Sequence, residues 1–253
     1  MNKREIEEHL RFLGLRFLLE NWETVWADAK TKNPSYYQFL KDFIVQESKY
    51  KKERQKNARI KRANVEDPYV METFPFGNQP NLKKKFVMEL YDSLQYMTQP
   101  QDMIFVGPTG CGKSGLATSY LLHAINQGYK GYFIDFKDLL ELFIQSVADH
   151  SEKKIIKRFL NYDVIVIDEL GYTPIRKEQA GLFFDLMKKR HRKKTTMITT
   201  QLGYDEWASF LQNKHMTAAL VDRMTENCTV FNMNKCISLR PKKVNYATTT
   251  ELN

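Results

Sequence analysis

Apolar positions recur at helical spacing through the first quarter of the chain, and strand-like and helix-like runs alternate after it. Leu10, Leu13, Phe17 and Leu18 are followed by Trp22, Val25, Trp26 and Ala29, then by a stripe of Phe39, Phe43, Gln46 and Tyr50. Gly14 and Pro34 are the one glycine and one proline before residue 65. The pattern predicts helices over 3–13, 18–31 and 35–62, the last capped by Ser35 after Pro34. The aromatics of these helices read as core in preference to a base-stacking surface. Residues 65–82, V-E-D-P-Y-V-M-E-T-F-P-F-G-N-Q-P-N-L, break the period with three prolines and a glycine. They read as an ordered connector, because Phe74 and Phe76 would not be left in water. A helix over 82–97 leads into alternating elements. Strands are predicted at 103–106, 130–135, 163–168, 195–200 and near 228–239, with helices at 113–126, 137–147, 176–192 and near 204–212 and 215–225. That alternation implies an α/β fold: a parallel sheet with helices on both faces. The expected organisation is a helical domain 1–66, a connector 67–82 and an α/β domain 83–253.

Two strand ends carry chemistry. Residues 107–114 read G-P-T-G-C-G-K-S, which fits G-x-x-x-x-G-K-[ST] between an apolar strand and a helix. Gly107, Gly110 and Gly112 let the backbone turn its N–H groups towards phosphate oxygens, and the following helix adds its positive N-terminal end. The candidate ATP-binding residues are Gly107, Pro108, Thr109, Gly110, Cys111, Gly112, Lys113, Ser114 and Gly115. Lys113 would reach the β- and γ-phosphates, and Ser114 would ligate Mg²⁺. The second strand, Val164–Ile167, is a continuous apolar run that suits burial on both faces. It ends in Asp168 and Glu169: the Asp would hold the Mg²⁺ water shell and the Glu would polarise an attacking water. A protein that only passes phosphate to a metabolite has no need of that Glu, so the pair points to ATP hydrolysis.

Charge adds a partner. The chain has 253 residues and a formal net charge of +9. Between Lys49 and Arg62 stand eight Lys or Arg against Glu53 alone. The bland reading is a solvated helix; the sharper one is contact with the backbone of double-stranded DNA through Lys49, Lys52, Lys56, Arg59, Lys61 and Arg62. No apolar run is long enough to span a membrane, and the N-terminus lacks the apolar stretch of a signal peptide. Cys111, Cys228 and Cys236 have neither zinc spacing nor a disulfide framework, which fits a reducing cytoplasm. The five histidines are scattered, and no D-D-E nuclease constellation is evident.

The order G-P-T-G-C-G-K-S, V-I-V-I-D-E-L-G-Y, M-I-T-T-Q-L-G-Y-D-E-W and A-A-L-V-D-R-M resembles the IstB helper ATPases of two-gene insertion sequences. These are AAA+ proteins related to the DnaC and DnaI helicase loaders. The connector F-P-F-G-N-Q-P also resembles the family's aromatic entry to the ATPase core, so the resemblance covers most of the chain. It implies a homo-oligomer that assembles on DNA with ATP and assists a separate, cognate transposase. It further implies that Gln201, helped by Thr200, senses the γ-phosphate from a strand beside Asp168–Glu169. Arg223 in V-D-R-M falls at the position of an arginine finger acting in trans, Arg190 is a weaker interface candidate, and Phe74 and Phe76 either border the adenine or simply pack. The family lacks a full C-terminal lid. A helicase loader shares nearly every ATPase residue and is the alternative function; a small-molecule kinase would not need Arg223 in trans.

Overall fold

The computed structural model describes residues 3–211 and 214–239. The end of the helix predicted near 204–212, and residues 240–253, on which the expected absence of a lid rests, lie outside the described residues. The chain divides into two compact units, Met1–Lys61 and Arg62–Asn253.

The first unit contains α1 (Lys3–Leu13), α2 (Arg16–Glu20), α3 (Trp22–Lys32) and most of α4 (Tyr36–Arg62). The single helix expected over 18–31 is two. Asn21 leaves helical geometry at φ −120° and ψ 24°, and its amide donates to the Phe17 carbonyl at 2.9 Å. Ser35 does accept the Gln38 N–H, at 3.2 Å, as a helix cap should. The inner stripe of α4 runs through Glu47 where Gln46 was expected; Gln46 is exposed and Glu47 is 7% exposed. The Glu47 carboxylate accepts the N–H groups of Phe17 and Leu18 at 3.3 and 3.2 Å. α2 has no side-chain cap of its own, so an acid thirty residues away satisfies its orphan donors and its positive end.

The second unit is built on one parallel sheet of β1 (Asp102–Val106), β2 (Gly131–Asp135), β3 (Val164–Leu170), β4 (Thr195–Thr200) and β5 (Cys228–Asn232). Their spatial order is β2-β3-β4-β1-β5. The helices are α5 (Lys84–Ser93), α6 (Gln95–Thr98), α7 (Lys113–Asn126), α8 (Phe136–Ala148), α9 (Glu152–Leu160), α10 (Lys177–Arg190), α11 (Tyr204–Phe210) and α12 (Lys214–Glu226). β3 and β4 have the alternate sides buried throughout, apart from Glu169, as a sheet covered on both faces requires. The carboxyl ends of β1, β3 and β4 lie side by side, where ligands of parallel sheets bind.

Three elements of this unit differ from expectation. The single helix expected over 82–97 is two, α5 and α6, because Leu94 turns left-handed at φ +51°. α9 was not foreseen because E-K-K-I-I-K-R-F-L is mostly charged, yet Ile156 and Phe159 are enough to anchor it in the core. β5 stops at Asn232 and does not run to 239: the Met233 N–H still reaches Val106 O at 2.7 Å, but the chain then turns back.

Arg190 is not an interface residue. It is fully buried, and its guanidinium donates to Thr196 Oγ1 at 3.0 Å and to the carbonyls of Phe159, Tyr162 and Thr195 at 2.7, 3.0 and 2.5 Å. It rivets α10 to the end of α9 and the start of β4. Arg190→Met would leave those acceptors and the buried Asp102 uncompensated. We expect a loss of about 3–5 kcal/mol in urea unfolding. A loss below about 1 kcal/mol would show that the guanidinium is dispensable to packing.

Candidate nucleotide site

The loop between β1 and α7 is tied down on every side. Gly112 caps α7 at φ +89°, and a Cβ there would sit 3.0 Å from Leu239 and 3.2 Å from Phe74. A Cβ on Gly107 would sit 2.9 Å from the backbone of Met233. Both positions therefore demand glycine, the first for its left-handed backbone and the second for close approach. Lys113 opens α7, is 7% exposed, and donates from Nζ to the carbonyls of Gly107 and Pro108 at 2.7 and 2.9 Å. The ammonium is thus fixed under the loop that the α7 N-terminus already makes positive. Gln79 of the connector donates to Cys111 O at 2.5 Å. Phe74 packs on Gly112 and Phe76 stands edge-on to Phe74, so these two rings back the loop.

Ser114, Asp168, Thr199 and the backbone of Glu169 form one chain of hydrogen bonds. Ser114 Oγ donates to Asp168 Oδ1 at 2.9 Å. Thr199 Oγ1 donates to the same carboxylate oxygen and accepts the Glu169 N–H at 2.9 Å. The buried Thr199 hydroxyl therefore holds the Asp168 carboxylate and the backbone N–H of Glu169 together. Thr200, named beside Gln201, turns the other way: it donates to Leu170 O at 2.8 Å and accepts the Leu202 N–H at 3.0 Å. Gln201 is exposed, and its Oε1 accepts from Thr109 Oγ1 at 3.3 Å; Thr109 also meets the Tyr172 hydroxyl at 2.9 Å.

Glu169 sits at φ +58°, within a register shift between Ile167 and Leu170. A non-glycine residue there costs on the order of 1 kcal/mol or more, a strain that functional sites tolerate. The bulge turns Glu169 into a cavity of about 230 Å³ shared with Lys113, Ser114, Thr199 and Tyr172. A second cavity of about 380 Å³ adjoins Ser114 and Asp168 and is lined by Asp135, Asp138 and Glu66. Burial, then the carboxylates of Asp168, Asp138, Glu169 and Glu66, push Asp135 up to about 6.

The remaining candidates lie elsewhere. Arg223 is exposed on α12, makes a 3.4 Å contact to Ala219 O, and lines a groove with Phe184, Asp185 and Met216; it lines neither phosphate-loop cavity. Lys49, Lys52, Lys56, Arg59, Lys61 and Arg62 all fall in the last half of α4. Lys56 and Arg59 are half-buried and the other four exposed, with Lys56 3.7 Å from Glu53.

Comparison with known proteins agrees with this geometry. The family described as IstB-like ATP binding protein matches residues 8–247. A protein of Geobacillus stearothermophilus named as an ATP-binding protein of insertion sequence IS5376 is 28% identical, over 96% of each chain. One of insertion sequence IS21 from Pseudomonas aeruginosa is 27% identical, over 90% of this chain and 86% of its own. Among solved structures, the DnaC helicase loader superposes with a TM-score of 0.51 at 24% identity, over 60% of this chain and 88% of that one. AMPPCP-bound DnaA from Aquifex aeolicus superposes with a TM-score of 0.56 at 14% identity, over 68% and 52%. These two likenesses establish the fold, a parallel sheet flanked by helices, and the match over nearly the whole sequence establishes more: this chain belongs to the IstB-like ATP binding protein family.

Proposed function

We propose that this chain hydrolyses ATP to ADP and phosphate with Mg²⁺, assembles on double-stranded DNA, and assists a separate transposase in moving an insertion sequence. The carrying observation is the hydrogen-bonded set Ser114–Asp168–Thr199–Glu169 at the mouth of the phosphate loop. A helicase-loading role would use the same residues, but relatives matching almost end to end are named for insertion sequences, which favours the transposition reading.

The residues fit the metal. Ser114 Oγ and the Asp168 carboxylate are hard oxygen donors 2.9 Å apart, which suits an ion that takes few protein ligands and keeps waters and phosphate oxygens. Bound there, Mg²⁺ would neutralise charge developing on the phosphates. Lys113 and the loop N–H groups hold the β- and γ-phosphates, Glu169 takes the proton of the attacking water, and Thr199 holds the Asp168 carboxylate and the Glu169 backbone. Gln201 reports on the γ-phosphate through Thr109, whose hydroxyl it touches. Arg223 completes the site of a neighbouring copy, since in its own chain it faces a different groove. Among the described residues no helix is long and apolar enough to cross a membrane. Exposed Phe12, Leu13, Tyr37, Leu40 and Ile44 give the helical unit a surface for a protein partner, the cognate transposase.

The DNA assignment rests on α4. Lys52, Lys56 and Arg59 share one face of that helix, and charge contacts to phosphate release counterions. Changing all three to Glu should weaken duplex binding and lower the slope of log affinity against log salt by about 2–3. ATP binding should survive, because the phosphate loop lies in the other unit. The check is a fluorescence-anisotropy salt series on wild type and variant. An unchanged slope would show that this cluster is a solvated helix face.

A further inference from the structure

Residues 233–239 form a strap across the phosphate loop. At one end Met233 donates its N–H to Val106 O at 2.7 Å and lays its backbone on Gly107. At the other, Leu239 donates its N–H to Gly110 O at 2.8 Å and its side chain reaches the nucleotide cavity. Between these anchors the chain turns at Cys236, whose N–H returns to Met233 O at 3.2 Å. Held between anchors on Val106 and Gly110, the turn brings the Cys236 thiol beside that of Cys111, in the middle of the loop. Both thiols are reduced; Cys111 is buried and Cys236 is half-buried, so solvent meets Cys236 first.

We propose that Cys111 and Cys236 are a reversible modification site: a disulfide between them locks the strap to the phosphate loop and turns nucleotide binding off. The oxidant is a low-molecular-weight disulfide. The Cys236 thiolate attacks one of its sulfurs, the reagent's sulfur–sulfur bond breaks, and a small thiolate leaves. Cys111 then gives its proton to solvent and attacks the Cys236 sulfur of the mixed disulfide, expelling the reagent's other half as a second thiolate. The two protein thiols lose two protons and two electrons; the reagent's two sulfurs gain the electrons. Burial, opposed by the Lys113 ammonium and reinforced by Cys236, pushes the Cys111 thiol up to about 11, so the closing step quickens as pH rises.

Loss of binding follows from position. A covalent bond is shorter than a thiol contact, so closure draws Cys111 towards the strap. Cys111 lies two residues before Lys113, whose Nζ is 4.0 Å from its sulfur. Moving it displaces both the loop N–H groups and the ammonium from the geometry that phosphate requires. The effect on affinity rests on the nucleotide-site reading above; the cross-link itself does not.

The test treats the full-length protein with excess glutathione disulfide at about pH 8, where a thiolate is available, and then measures intact mass, non-reducing peptide maps and anisotropy of a fluorescent ATP analogue. The expected product is lighter by two hydrogens and yields a peptide joining Cys111 to Cys236. Its nucleotide affinity is expected to fall roughly tenfold or more and to return with dithiothreitol. Cys236→Ser should bind nucleotide like untreated wild type and ignore the oxidant, with Cys236→Ala as a second variant if the first melts early. Cys228→Ser should still cross-link. Absence of the Cys111–Cys236 peptide, a glutathione adduct that stops at Cys236, or a cross-linked protein of unchanged affinity would each overturn the proposal. An untreated wild type that fails to bind the analogue would instead sink the nucleotide-site reading, while the mass test would still decide whether the bond forms.

Discussion

Glu169→Gln is expected to bind ATP as wild type does and to lower its turnover by about 100- to 10,000-fold. The amide keeps the size and the backbone N–H that Thr199 holds, so the bulge and its strained φ of +58° should persist. What it loses is a carboxylate that can take a proton from water. Lys113→Ala should fail one step earlier, at binding itself. Its Nζ is anchored to two loop carbonyls at 2.7 and 2.9 Å, so the variant removes both the phosphate's counter-charge and a brace of the loop. Equilibrium binding of a fluorescent ATP analogue, set beside phosphate release, separates the two cases. Equal turnover by Glu169→Gln and wild type would remove Glu169 from the role of general base. Tight binding by Lys113→Ala would mean that the loop N–H groups and the α7 N-terminus suffice.

The phosphate loop and the Asp168–Glu169 pair were legible because each depends on residue types at fixed spacing next to a strand. Thr199 was not, although it touches the Asp168 carboxylate and the Glu169 backbone. T-T-M-I-T-T offers four threonines, and spacing alone does not say which hydroxyl faces the carboxylates; the register of β4 against β3 decides it. Glu47 was hidden for a related reason. A charged residue on an inner stripe looks like an error until its partners, the N–H groups of α2, are known. Arg190 looked like an interface residue because arginine is seldom fully buried, and only the carbonyls converging on it explain why this one is. Strand β5 was drawn too long because a strap that follows a strand can keep strand-like composition while its hydrogen bonds go to the loop beneath. In each case the missing information was a contact distant in sequence.

Arg223→Ala is expected to reduce ATP turnover by about 1,000-fold or more while leaving binding to the isolated subunit nearly unchanged. Arg223 lies on α12, exposed, beside Phe184, Asp185 and Met216, and lines neither cavity at the phosphate loop. On the proposed function its reach is outward, towards another copy, and a guanidinium would suit that task because it stays charged and spans two phosphate oxygens. If so, no subunit is complete alone, and wild-type activity per mole should rise with protein concentration. Mixing two inactive variants gives the sharper reading. In an Arg223→Ala and Lys113→Ala mixture, some interfaces pair an intact phosphate loop from the first with an intact Arg223 from the second. Those interfaces should hydrolyse ATP, so turnover should reappear on mixing and grow with the concentration of both. A mixture that stays silent while the two variants still associate would place Arg223 outside the reaction. Turnover independent of concentration in a protein verified as monomeric would contradict completion in trans altogether.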